Sequence, residues 1–324
     1  MKIGITSTIP VEIVFAAGHT PCDLNNIFIS ADDPEYFIRR AENAGFPRTS
    51  CAWIKGIYGV LLEEKIDTII IVIGGDCSNS IALGEVLAHD GKRIIPFSYP
   101  LQPDVSEMEL AISRLAAELE ADDNLINDCK QQLDPIRTRL EELDRLTWQE
   151  NLVSGAENQL YLVSSSDFNG NPELFLTKLD KFITQALTRK PRPHKIRLGL
   201  AGVPPILSNL FDVLDNLDAD VIFNEVPRQF ALPGAAQCSL AEQYSRYTYP
   251  YQVERRLEDI EKACQERQLD GLIHYTQSFC FRQIEDILFK RRLKIPTLTL
   301  EADQPGPVDG RTLTRIETFI EILT

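Results

Sequence analysis

The chain has 324 residues, 44% apolar and 25% charged, with a formal net charge of −15; this suits about two packed domains of roughly 100–200 residues each. The acidic balance and the lack of any long basic run argue against a nucleic-acid or anionic-membrane surface, which needs clustered Lys and Arg. No apolar run approaches the ~20 residues of a membrane-spanning helix.

Lys2 to Thr6 reads as a short strand. Ile9 to Gly18 has a faint likeness to a signal segment, but Glu12 interrupts it and Lys2 alone is a poor basic flank, so it is read as structure. Cys51 to Glu64 has a helical pattern, and Thr68 to Ile73 is a β-branched run typical of a strand buried on both faces of a parallel sheet. That run stops at Gly74-Gly75, a helix follows from Asn79 to Leu87, and a strand from Arg93 to Ser98. From Val105 to Trp148 the pattern is helical and strongly charged, with Leu115, Leu119, Leu133, Ile136, Leu140 and Leu143 at helical spacing. A polar stretch from Ser164 to Pro172 precedes a helix from Glu173 to Leu187, and Arg189 to His194 is the linker candidate.

Beyond the linker a second α/β unit begins. Strands are expected at Ile196–Ala201, Asp220–Asn224, Gly271–Tyr275 and Thr297–Leu300, with helices at Ile206–Leu214, Leu240–Gln265, Phe281–Arg291 and Thr312–Leu323. The alternation implies an α/β fold of two Rossmann-like lobes, each a parallel sheet flanked by helices. The division is residues 1–190, an N-terminal lobe with a helical extension, and residues 191–324. No short-period repeat is visible.

There are seven cysteines: Cys22, Cys51, Cys77, Cys129, Cys238, Cys264 and Cys280. The odd count and the absence of an export signal point to reduced thiols in a cytoplasmic setting. No CxxC pair occurs, so a metal site must be assembled from distant cysteines. In open α/β sheets ligands bind beyond the carboxyl ends of the strands. Cys77 and Cys280 fall at strand-to-helix junctions of the two halves, and Cys51 stands at the start of a helix. A helix N-terminus favours a thiolate by roughly 0.3–1 kcal/mol. The competing reading, a free cysteine as a small buried hydrophobe, stays open for each of them.

Four segments carry a family likeness. Ile9-Pro10-Val11-Glu12-Ile13-Val14-Phe15-Ala16-Ala17-Gly18, Gly75-Asp76-Cys77, Asp270-Gly271 through Cys280, and Ile295-Pro296 through Glu317-Thr318-Phe319 stand in the order seen in the benzoyl-CoA reductase / 2-hydroxyacyl-CoA dehydratase family, which the chain resembles over nearly its whole length. The resemblance implies that Cys51, Cys77 and Cys280 hold a [4Fe–4S] cluster in a cleft between the lobes, with one iron left open. It also implies low-potential electrons from a separate ATP-hydrolysing activator, and radical dehydration or reduction of an acyl-CoA or other small molecule. A homodimer, or a heterodimer with a related subunit, is a further implication. The chain itself has no GxxxxGK[ST] loop and no dinucleotide fingerprint.

Some relatives carry a double-cubane [8Fe–9S] cluster and act on small molecules; Cys22 and Cys238, in loop-like contexts, are the candidate extra ligands. A non-catalytic electron-transfer protein is the third reading. Cys129 and Cys264 lie on charged helices and read as incidental. His19 and His274, near the expected cleft, are candidate proton donors against a structural reading. Glu225 and Arg228 face the cleft or pair with each other, and Tyr244, Tyr247, Tyr249 and Tyr251 line a pocket or pack between lobes. The chain is short for the family and shows no clear basic site for CoA phosphates.

Overall fold

The computed structural model describes residues 1–193 and 196–324. The first half runs β1 (Lys2–Ile5), α1 (Val11–Ala16), β2 (Thr20–Asp23), α2 (Leu24–Ser30), α3 (Pro34–Asn43), α4 (Ala52–Glu64), β3 (Thr68–Gly74), α5 (Ser78–His89) and β4 (Arg93–Ser98). Four further helices follow: α6 (Val105–Glu118), α7 (Asp123–Trp148), α8 (Gly155–Ser164) and α9 (Pro172–Ala186). The second half runs β5 (Ile196–Gly202), α10 (Leu210–Asn216), β6 (Ala219–Asn224), α11 (Glu225–Phe230), α12 (Leu240–Arg246), α13 (Val253–Glu266), β7 (Gly271–Gln277), α14 (Asp286–Arg292), β8 (Thr297–Ala302) and α15 (Gly310–Leu323).

Both sheets are parallel and share one strand order, β2-β1-β3-β4 and β6-β5-β7-β8. The two Rossmann-like α/β lobes expected from the alternating pattern are therefore present. Parallel strands covered on both faces must be apolar throughout. Ile69, Ile70, Ile71 and Val72 of β3 and Leu272 and Ile273 of β7 are accordingly buried. No described helix is long and apolar enough to cross a membrane.

Several expected elements are divided by local chemistry. The Val105–Trp148 region is two helices: Glu120 takes a left-handed φ of 53°, and Asp122 then caps α7 by accepting from the N–H groups of Asn124 and Leu125. The Leu240–Gln265 helix is also two, interrupted between Tyr247 and Gln252, where Pro250 removes a backbone donor. The helix expected at Ile206 starts only at Leu210, because Leu207 forms a bridge with Gly306. Phe281–Glu285 is a 3-10 turn preceding α14. Cys22, read from the sequence as loop, lies in strand β2, paired with Gly4 of β1. Of the linker, His194 lies outside the described residues.

The lobes exchange helices. α8, from the first half, begins directly on β6 of the second sheet. A Cβ at Gly155 would stand 2.4 Å from the Val221 carbonyl oxygen, and Asn224 Nδ2 donates to the Gly155 carbonyl at 3.2 Å and to Asn158 Oδ1 at 2.7 Å. Reciprocally, α12 of the second half packs on α6. Its Gln243 and Tyr244 donate to the buried Glu12 of α1, both at 2.9 Å, and Arg137 of α7 completes that site 2.6 Å from Glu12. Both exchanged helices start with a capping box, Ser154 with Glu157 and Ser239 with Glu242.

Candidate functional site

The carboxyl ends of the strands of both sheets open onto one cavity of about 160 Å³. Its walls come from Thr6 to Thr8 after β1, Asp23 and Asn25 at the end of β2, Asp76 and Cys77 after β3, Val203 to Pro205 after β5, and Gln277 and Cys280 at the end of β7. The start of α4 adds Cys51 and Trp53, and α8 adds Gln159 and Val163.

Cys51, Cys77 and Cys280 thus line the same space, and each caps a helix or helical turn: α4, α5 and the Phe281–Glu285 turn. Backbone N–H groups therefore face each sulfur. The sequence argument expected this to favour thiolates, but burial outweighs it. Burial pushes Cys51 up to about 12 against the opposing pull of the Ile54 and Trp53 N–H groups. Cys77 is raised by burial and then by Asp76, and Cys280 by burial against the Arg282 N–H and guanidinium. Burial thus opposes ionisation of all three sulfurs, and a bound metal centre would offset that penalty.

Among the described residues no three Cys, His, Asp or Glu side chains lie close enough to share one metal ion. A single ion would draw its thiolates to about 2.3 Å from one point. A four-iron cluster takes each thiolate on a different iron and so asks for more widely spaced sulfurs than a single ion does.

Each of two cysteines has its own support. Asp76 accepts from the Cys77 N–H at 2.8 Å and from Ser80 Oγ at 3.0 Å; Ser80 Oγ is in turn 3.8 Å from Cys77 Sγ. Below Cys280 lies a buried charge network. Arg282 donates to Glu285 at 3.0 Å and to the Tyr249 carbonyl at 2.7 Å, with its guanidinium 4.2 Å over the Tyr249 ring. Arg256 donates to Glu285 and, through two nitrogens, to Glu225 at 2.7 and 2.9 Å. Glu225, expected to face the cleft or pair with Arg228, is instead held by Arg256 and by the Gly202 N–H at 2.9 Å, while Arg228 pairs with Asp259.

The remaining candidates, apart from Tyr249, fall outside the cavity wall. His274 is buried beside Phe289, with Nδ1 2.8 Å from Asp286, and burial lowers its pKa. His19 lies in the turn between α1 and β2. Cys22 is buried in the core beneath the first sheet. Cys238 follows a 3-10 turn, where its sulfur donates to the Ala235 carbonyl at 3.4 Å. Cys129 and Cys264 sit on α7 and α13. Of the four tyrosines only Tyr249 lines the cavity; Tyr244 belongs to the Glu12 site, and Tyr247 stacks on Tyr249 at 6.3 Å.

Sequence reasoning missed a carboxyl pair at the back of the cavity. The Asp23 N–H donates to Asp167 Oδ2 at 2.7 Å, and Asp23 accepts from Ser166 Oγ at 2.6 Å and Asn25 N–H at 2.9 Å. Burial, and then the nearby Asp23, push Asp167 up to about 7. The polar run from Ser164 to Asp167 was its only visible signal.

Compared with curated proteins, the chain has no match. Compared with family models, it matches one over residues 6–323, that described as 2-hydroxyglutaryl-CoA dehydratase, D-component. With the whole second sheet, all of the first sheet but β1, and all three cavity cysteines inside that span, the chain belongs to the 2-hydroxyglutaryl-CoA dehydratase D-component family.

Proposed function

We propose that this chain is the cluster-bearing component of a 2-hydroxyacyl-CoA dehydratase or a related reductase, with Cys51, Cys77 and Cys280 as the ligands of a [4Fe–4S] cluster. The observation that carries the reading is the convergence of three free cysteines, from both lobes, on one cavity at the carboxyl ends of the strands. A bound cluster would supply one-electron reduction, and three protein ligands for four irons would leave one iron without a protein ligand.

The chain's own residues hold that site in place. The N–H groups around each sulfur stabilise thiolate charge once metal is present, and such contacts tune a cluster's potential. Asp76 fixes the turn that carries Cys77, and Arg282, locked by Glu285 and Tyr249, fixes the turn that carries Cys280. With no nucleotide-binding loop in the sequence, the energy for low-potential reduction arrives from an ATP-hydrolysing activator. Cys22 and Cys238 stand away from the cavity wall, which favours a single cluster over a double cubane.

Protein purified without oxygen should be brown, with about four irons per chain. Cys77→Ser should lose most of that iron and Cys264→Ser none. Equal iron in the two variants would refute the ligand assignment. Cluster reduction followed by electron paramagnetic resonance tests the partner: it should require both ATP and the activator, and turnover with dithionite alone would remove the activator from the scheme.

A further inference from the structure

The three cavity cysteines are carried differently. Cys77 and Cys280 stand just beyond the ends of β3 and β7, so the sheets place them. Cys51 has no strand before it. It follows the segment from Gly45 to Ser50 that joins α3 to α4, where Gly45, Pro47, Arg48 and Thr49 are exposed. Several of the segment's hydrogen bonds run within itself or back to α3. The Phe46 N–H donates to the Ala41 carbonyl at 3.1 Å, and the Ser50 N–H and hydroxyl donate to the Pro47 carbonyl at 3.0 and 2.7 Å. Against α4, the helix that Cys51 caps, the segment has the packing of Phe46 on Tyr58 at 4.7 Å and the polar anchor of Lys55.

Lys55 grips the segment at both ends. Its N–H donates to the Cys51 carbonyl at 3.2 Å, and its ammonium donates to the Arg48 carbonyl at 3.1 Å and to Glu42 of α3 at 2.9 Å. The Lys55 side chain is 0% exposed and that of Glu42 26%. Close helix packing keeps the reach short: a Cβ at Gly59 of α4 would stand 2.3 Å from the Phe37 carbonyl oxygen of α3. Taking an ammonium out of water is costly, and a buried ion pair returns little net stability. What the ammonium adds is direction, since its donors are aimed at one carbonyl and one carboxylate. Arg282 does the same beneath Cys280, where it donates to the Tyr249 carbonyl and to Glu285.

We propose that Lys55 is the positioning residue of Cys51, holding the Arg48–Cys51 segment on α4 so that the sulfur faces the cavity with Cys77 and Cys280. The proposal rests on the cluster reading for what Cys51 would ligate.

The test is the rate at which iodoacetamide alkylates each cysteine of the metal-free full chain, read by mass spectrometry. Cys51 is 8% exposed and burial pushes its thiol up to about 12, so in the parent it should react slowly. Lys55→Met keeps an unbranched chain and removes the donors. Cys51 should then react at least about tenfold faster, the factor that corresponds to about 1.4 kcal/mol of lost hold, while Cys77 and Cys280 stay within about twofold of the parent. Lys130→Met is the matched control. Lys130 is also buried and donates to a carboxylate, Asp134, and to a carbonyl, that of Ala235, but it does not line the cavity; its loss should leave all three rates as in the parent. Glu42→Gln keeps an acceptor and removes the charge. It should speed Cys51 alone, by less than Lys55→Met, and it decides the matter if Lys55→Met does not fold. An unchanged Cys51 rate, all three cysteines speeding up together, or the same gain at Cys51 in Lys130→Met would each overturn the proposal. Iron keeps the two readings apart. From protein purified without oxygen, a chelator should strip iron about tenfold faster in Lys55→Met than in the parent, and equal rates would overturn the role of Lys55. A parent without iron sinks the cluster, while the alkylation rates still judge Lys55.

Discussion

The two lobes have the same sheet topology and contribute differently to the site. In both, the third strand of the sheet, β3 or β7, ends at a turn that carries a cysteine, Cys77 or Cys280. In both, a helix precedes that strand with its N-terminus on the same side. In the first lobe that helix, α4, is capped by Cys51; in the second, α13 is capped by Gln252. Gln252 does not line the cavity, so the first lobe brings two cysteines to it and the second brings one. The shared topology brings both sets of strand ends to one cavity, and the asymmetry lies in how many cysteines each half contributes.

The lobes also differ in how their buried charges are balanced, and substitution can break that contrast. In the second lobe Arg256 serves two carboxylates at once. Arg256→Met leaves Glu225 buried with only the Gly202 N–H, and should lower stability by about 3–5 kcal/mol in urea unfolding. In the first lobe Arg137→Met leaves Glu12 with Tyr244 and Gln243, so its cost should be about 1–2 kcal/mol smaller. Equal losses would show that the two networks do the same work.

A gentler way to sharpen the comparison uses pH. Asp167 of the first half holds its proton up to about 7 in the folded chain, against an ordinary 3.8. Between those values the native state binds a proton that the unfolded state has released. Stability should therefore fall as pH rises from about 4 to about 7. Asp167→Asn, which keeps an acceptor for the Asp23 N–H, should flatten that part of the profile in denaturant titrations. An unchanged slope in the variant would place the proton elsewhere.

The smallest effect concerns the exchanged helices. Ser154→Ala and Ser239→Ala each remove one half of a capping box and should each cost about 1 kcal/mol. Because the two helices brace opposite lobes, the double variant should show a near-additive loss in thermal unfolding. Strong non-additivity would mean that the braces act as one.

Much of this was legible in the sequence because the carriers were local. The β-branched run at Thr68–Ile73 can hardly be anything but a buried strand, and Gly74-Gly75 before Cys77 announces the turn. β2 was not legible: it is a four-residue edge strand containing Pro21 and Asp23, two residues that normally argue against strand, and it pairs only with β1. The division of α6 from α7 turns on the left-handed Glu120, a residue that usually favours helix. At the site, the positions of Cys51, Cys77 and Cys280 relative to strands and helices could be read, whereas the depth of burial that raises their pKa values could not. Trp53 and Gln159, whose buried Nε1 and Oε1 atoms have no hydrogen-bond partner, carry no sequence signal at all, since what marks them is the absence of a partner. That is a property of the folded surroundings and of no residue taken singly.

The exchange of α8 and α12 bears on how the chain could be cut. Each half wears a helix grown by the other, so a break in the linker at Pro191–Pro193 would not yield two self-contained modules. One fragment would carry the lid for β6, and the other the donors for Glu12. The halves are complementary pieces of a single closure: cleavage there leaves them bound to each other, and the cavity between the sheets cannot be widened by simply swinging one lobe about its linker.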